Sequence, residues 1–136
     1  MWLLDTMVIS ELCKRTPDPN VVTWISSTSD KSLFLSVITI SEIQRGIALQ
    51  RPKDTVFAVR LQLWLDEMMR NYGDRVLPIT TEIACRWGEL TAHVGHDGAD
   101  VMIAATAMQH GLSVVTRNEG HFSNFSVPIF NPYSKN

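Results

Sequence analysis

Trp2-Leu3-Leu4-Asp5-Thr6-Met7-Val8-Ile9-Ser10-Glu11-Leu12 is the stretch whose reading decides the fold. Three apolar residues suit a short strand, Asp5 closes it, and a short helix is expected over residues 6–13. The same handover recurs downstream. Residues 33–38, Leu-Phe-Leu-Ser-Val-Ile, form a second apolar run of strand length, and Glu42 follows it in a helical segment, 39–50, with Ile40, Ile43 and Ile47 on one side. Asp100 opens Val101-Met102-Ile103-Ala104-Ala105-Thr106-Ala107, a helix that Gly111 stops before a strand at residues 112–115. Short apolar runs alternating with longer helical periods predict an α/β domain. A continuous apolar run marks a strand covered on both faces, so the expected architecture is a central, mostly parallel sheet with helices on both sides.

The remaining elements fit that alternation. Pro17-Asp18-Pro19-Asn20 reads as a turn, with Asn20 capping a helix that carries Val21, Trp24 and Ile25. The longest helix is expected over residues 53–71, where Phe57, Leu61, Trp64, Leu65, Met68 and Tyr72 recur at helical spacing. Val56, Val59, Leu63 and Met69 widen its apolar face beyond one stripe, which leaves two readings open: a partner surface, or a helix sunk in the core. Residues 75–79 predict a strand interrupted by Pro78, residues 80–94 a helix, residues 116–122 a loop and residues 127–130 an edge strand.

At 136 residues the chain is expected to be one domain, 1–136. A net charge of −2 advertises no global field for nucleic acid, so such a partner must be gripped locally or through metal ions. Cys13 and Cys85 have no paired spacing and read as free thiols. Neither a signal peptide nor a membrane span is legible at the N-terminus, so a cytoplasmic protein with no membrane contact is expected.

Asp5, Glu42 and Asp100 each have a plain structural reading. Asp5 can cap the helix starting at Thr6, Thr39-Ile40-Ser41-Glu42 matches a capping box, and Asp97 can cap the helix holding Asp100. Capping does not require the acids to share a sheet edge, however, and strand ends of one polarity in a parallel sheet form the edge where ligands bind. Carboxylates gathered there repel and raise one another's pKa. A Mg²⁺ or Mn²⁺ ion relieves that repulsion, and such ions activate water and stabilise leaving oxygens at phosphodiesters.

These blocks carry a resemblance. Residues 4–12 around Asp5, residues 39–47 around Glu42 and residues 100–107 look like three blocks of PIN-domain nucleases. Val114-Val115-Thr116-Arg117-Asn118 followed by Phe122 resembles the fourth, and Asn131-Pro132-Tyr133 the closing motif. The chain is most similar to VapC-type toxins of type II toxin–antitoxin systems. The resemblance implies a Mg²⁺- or Mn²⁺-dependent endoribonuclease, with Asp5 and Asp100 as metal ligands and Glu42 completing the cluster. It further implies inhibition by a VapB-like antitoxin, operator DNA reached only through that antitoxin, and tRNA or ribosomal RNA as the substrate class, while the long apolar helix supports a homodimer.

Two positions depart from the family pattern: Met7 stands where Asn is usual, and His121 where the fourth acid is usual. His121 therefore joins the candidate catalytic residues, with Glu119 as its possible substitute. The alternative it raises is a catalytically weakened binding protein that keeps antitoxin or RNA contact. Thr116, Arg117 and Asn118 are candidate substrate-binding residues, and Arg45, Arg51 and Lys53 further phosphate guides. His93 and His96 read as a solvated helix end, since no third zinc ligand lies near them.

Overall fold

Leu3 and Leu4 are both fully buried, so β1 (Trp2–Leu4) runs through the middle of the molecule. The computed structural model describes residues 1–96 and 98–133. Around β1 stand β2 (Leu33–Ser36), β3 (Val76–Leu77), β4 (Ser113–Val115) and β5 (Ile129–Phe130), in the order β3-β2-β1-β4-β5. Every neighbouring pair is parallel, with Leu3 opposite Phe34 on one side and Val114 on the other.

Side chains alternate across a strand, and the two halves of the core follow from that. Leu4 and Val115 face a cluster with Val8, Val21, Ile47 and Leu65, supplied by α1 (Thr6–Glu11), α2 (Pro19–Ser27), α3 (Val37–Gln50) and α4 (Thr55–Tyr72). Leu3 and Val114 face the opposite cluster, with Val101, Ile103, Ala104 and Phe122. That layer comes from α5 (Thr81–Val94), α6 (Ala99–His110) and α7 (Glu119–Phe122). The parallel sheet with helices on both sides is the architecture expected from the sequence.

Several boundaries move. The second strand ends at Ser36, not residue 38, because Ser36 Oγ accepts from the Ile38 amide and starts α3 two residues early. The Thr39–Glu42 capping box therefore has no helix end to cap. Asp18 rather than Asn20 caps α2, accepting from the Asn20 and Val21 amides with Pro19 in the first turn. The loop expected over 116–122 contains α7. Gly111 ends α6 as expected, in the left-handed region at φ 65°. The proposed Asp97 cap lies outside the described residues; the residue at the α6 N-cap is Gly98, which makes no side-chain cap bond.

The two readings of the long helix divide along its surface. Met69 packs against the core, whereas Val56, Val59 and Leu63 are 72%, 54% and 63% exposed. Among the described residues no helix is long and apolar enough to cross a membrane.

Candidate active site

The carboxyl ends of β2, β1 and β4 lie side by side, and each feeds one part of a single cleft. Asp5 leaves β1 with its amide still donating to Val115 O at 2.9 Å, so the sheet fixes its backbone. Its carboxylate is buried and held from two directions: Oδ1 accepts from the Thr6 amide and Oδ2 from Thr116 Oγ1, both at 2.8 Å. Asp5 does cap α1, but that accounts for only one of its two oxygens.

Glu42 projects from α3 towards α1. Its Oε1 accepts from Thr6 Oγ1 at 2.6 Å instead of turning back to its own helix start. Asp100 stands in the first turn of α6, where the helix dipole favours negative charge. Asp5, Glu42, Asp100, Asn118 and His121 all line one open cleft of about 540 Å³, together with Thr6, Met7 and His96.

Burial holds the Asp5 carboxyl above its ordinary value of 3.8, and the nearby Glu42 and Asp100 charges add to that rise; the Thr116 and Thr6 hydrogen bonds work against it. The acids therefore sense one another. Among the described residues one ion pair forms, Lys14 with Glu11, on the far part of α1, so no basic side chain answers these three carboxylates. Among the described residues no three His, Cys, Asp or Glu side chains are drawn together as a ready-made metal cage. Hard-oxygen donors spread around an open cleft suit a divalent ion that keeps part of its water shell, as Mg²⁺ does.

Three sequence-selected residues sit elsewhere. Thr116 is fully buried behind Asp5, with its hydroxyl committed to that carboxylate and also accepting from the Asn118 amide at 3.0 Å. Arg117 lies over the Tyr133 ring, 5.0 Å from its centroid. Glu119 accepts from Asn131 Nδ2 at 3.2 Å. None of these three, nor Arg45, Arg51 or Lys53, lines the cleft.

His96 is the residue that sequence reasoning missed. It lines the cleft and accepts from the Gly98 amide at Nδ1, 3.3 Å away, while His93 turns to the Glu89 carbonyl. The available signal was its place four residues before Asp100. Met7 fills the position where Asn was expected, and its Sδ accepts from Asn118 Nδ2 at 2.8 Å.

A parallel α/β sheet with an acid-lined cleft at the carboxyl ends of its strands defines a class: the open α/β domains whose ligand site lies at that edge. The chain belongs to the PIN domain family, whose sequence model matches residues 2–127, and stands with its VapC/FitB-type members. It is 36% identical over 140 residues to Toxin FitB of Neisseria gonorrhoeae, covering 98% of this chain and 99% of that protein. It is also 36% identical over 140 residues to a VapC ribonuclease of Sinorhizobium fredii, covering 98% of each. Among solved structures, the FitAcB complex from Neisseria gonorrhoeae superposes with a TM-score of 0.80 at 36% identity, over 97% of this chain and 98% of that one. A FitAB complex bound to a DNA fragment gives 0.81 at 34% identity, over 100% and 98%.

Proposed function

We propose that this protein is a divalent-metal-dependent endoribonuclease and the toxin of a toxin–antitoxin pair. The observation that carries the reading is the convergence of Asp5, Glu42 and Asp100, from three distant segments, on one open cleft, with no ion pair to any of the three among the described residues. These are the residues that would hold Mg²⁺ or Mn²⁺. When bound, the metal supplies an activated water and charge neutralisation at the phosphodiester. The chain's own groups set the stage for that step. Thr116 Oγ1 and the Thr6 amide each hold one oxygen of Asp5, which fixes the carboxylate at the cleft wall. Asn118 and His121, which line the opening, would donate to phosphate oxygens. The scissile phosphate accepts the attacking oxygen in line with the departing 3′-oxygen, leaving a 5′-phosphate and a 3′-hydroxyl.

The test is cleavage of tRNA and ribosomal RNA by the purified chain with Mn²⁺ or Mg²⁺. Asp5→Asn and Asp100→Asn should each lower the rate at least 100-fold, roughly the loss that follows removal of a transition-state electrostatic partner. Cleavage that survives both substitutions rejects the reading.

His121 supports a second reading. An exposed imidazole lines the cleft where related sequences are expected to carry an acid, and imidazole suits Mg²⁺ poorly. A catalytically weakened binder would follow. A sharp gain of cleavage in His121→Asp would favour it, and unchanged cleavage would set it aside.

The partner in the main reading is a VapB-like antitoxin, because the FitB-like structures are those of complexes named FitAcB and FitAB. Contact with operator DNA would pass through that antitoxin. The exposed Val56, Val59 and Leu63 stripe on α4 supports homodimerisation.

A further inference from the structure

Thr6 is tied to two acids by two different atoms. Its amide donates to Asp5 Oδ1 at 2.8 Å and its hydroxyl to Glu42 Oε1 at 2.6 Å, joining α1 to α3 across 36 residues. A carboxylate only accepts, so the single hydroxyl proton of Thr6 goes to Glu42. That leaves the Thr6 oxygen to accept from Thr39 Oγ1, 3.0 Å away on a fully buried residue of α3. The bonds run in one direction, Thr39 to Thr6 to Glu42. The chain starts in the core and ends in the cleft.

We infer that Thr6 is the positioning residue that sets the spacing between Asp5 and Glu42, an inference that rests on the metal-nuclease reading above. Glu42 is exposed on a three-carbon side chain and would otherwise sample several rotamers. Threonine suits this role: its β-branched side chain leaves the hydroxyl few directions, the one towards Glu42 among them, on a helix whose first turn Asp5 already caps. The buried Thr39 hydroxyl pins that direction from behind. Thr6 touches no reacting atom in this scheme and acts through Glu42.

The experiment measures Mn²⁺ binding to the purified chain by electron paramagnetic resonance without RNA, alongside kcat and KM for RNA cleavage. Thr6→Val removes the hydroxyl at nearly constant volume and should weaken Mn²⁺ binding about tenfold, the lower end of losses on removing a group that orients a metal ligand. The loss in cleavage should fall on kcat more than on KM. Thr6→Ser should recover part of both, since it restores the donor without the stiffness. Thr6→Val combined with Glu42→Gln should bind Mn²⁺ no more weakly than Glu42→Gln alone, because both changes break one unit. Thr6→Ala carries the same comparison if the valine variant does not fold. Wild-type Mn²⁺ binding with an unchanged Thr6→Val, or losses that add in the double variant, overturns the role of Thr6. A wild-type chain that binds no Mn²⁺ overturns the metal reading and this inference with it.

Discussion

The Thr116 hydroxyl donates to Asp5 Oδ2 at 2.8 Å, a buried hydrogen bond between residues 111 positions apart. It joins the end of β4 to the end of β1 and gives the most enclosed acid of the cleft a fixed orientation. Thr116→Val removes that donor while keeping the shape. RNA cleavage should fall about 10- to 100-fold, the range seen when an orienting partner is lost, and Thr116→Ser should keep most of it. Wild-type single-turnover rates in the valine variant would reject this role.

Asp5 also makes a prediction about stability. Its burial, with Glu42 and Asp100 near it, raises the folded-state pKa above 3.8, so the folded chain binds that proton more tightly than the unfolded one. Ionising Asp5 thus costs stability as pH rises from 3.8 through the folded value. In EDTA, Asp5→Asn should gain on wild type as pH rises through that window, and the gain should vanish towards pH 3.8. Urea titrations across pH test the sign. Added Mn²⁺ should stabilise wild type but not the variant.

Glu11 carries the opposite sign. Burial pushes its carboxyl up, but the Asp18 amide at 3.0 Å and the Lys14 ammonium at 3.1 Å outweigh that and hold it below 4.5. Its stabilising effect is present above pH 4.5 and is lost as pH falls through the folded value. Glu11→Gln should cost about 1–3 kcal/mol at neutral pH, typical of weakening charged hydrogen bonds at a buried group, and much less under acid. A variant as stable as wild type at pH 7 would contradict it.

Gly98 leaves room that Asp100 uses. A Cβ there would stand 2.9 Å from Asp100 Oδ1 and 3.2 Å from His96 Nδ1. The backbone at φ −62° accepts alanine, so Gly98→Ala should fold normally yet push the Asp100 carboxylate aside. A displacement near 1 Å at such a group costs roughly 100-fold in rate. Unchanged cleavage with an unchanged melting temperature would sink the argument.

Leu63 lies at the end of the exposed α4 stripe. Leu63→Glu should convert a dimer to a monomer in light scattering at micromolar concentration. Losing a buried leucine on each of two copies removes about 1.5–3 kcal/mol apiece, more than tenfold in affinity. A monomeric wild type would refute the dimer.

Much of the fold was legible because its signals are local. Apolar runs 2–4 and 112–115 differ from the true strands by a residue at most, and the helices at Thr6, Thr81 and Ala99 begin within a residue of their expected starts. The errors arose where two local signals competed. Ser36 and Thr39 both carry hydroxyls suited to starting α3, and Ser36 won because the sheet ends there, at its pairing with Leu77. Glu42 was thereby released from the capping box and turned to Thr6. Asp5, Glu42, Asp100, Asn118 and His121, all candidates from the sequence, line one cleft, and His96 lines it without having been a candidate, because a histidine near a helix end looks the same whether it faces solvent or a cleft.

By itself the sequence determined the alternation of strands and helices and the placing of three acids at their junctions. Periodicity and turn chemistry are properties of neighbouring residues, so they can be read along the chain. Only the tertiary structure decided which hydroxyl holds which carboxylate. The order β2-β1-β4 brings three strand ends together, and through it Thr6 meets Glu42 across 36 residues and Thr116 meets Asp5 across 111. Those partnerships depend on packing between distant segments, which local spacing does not encode.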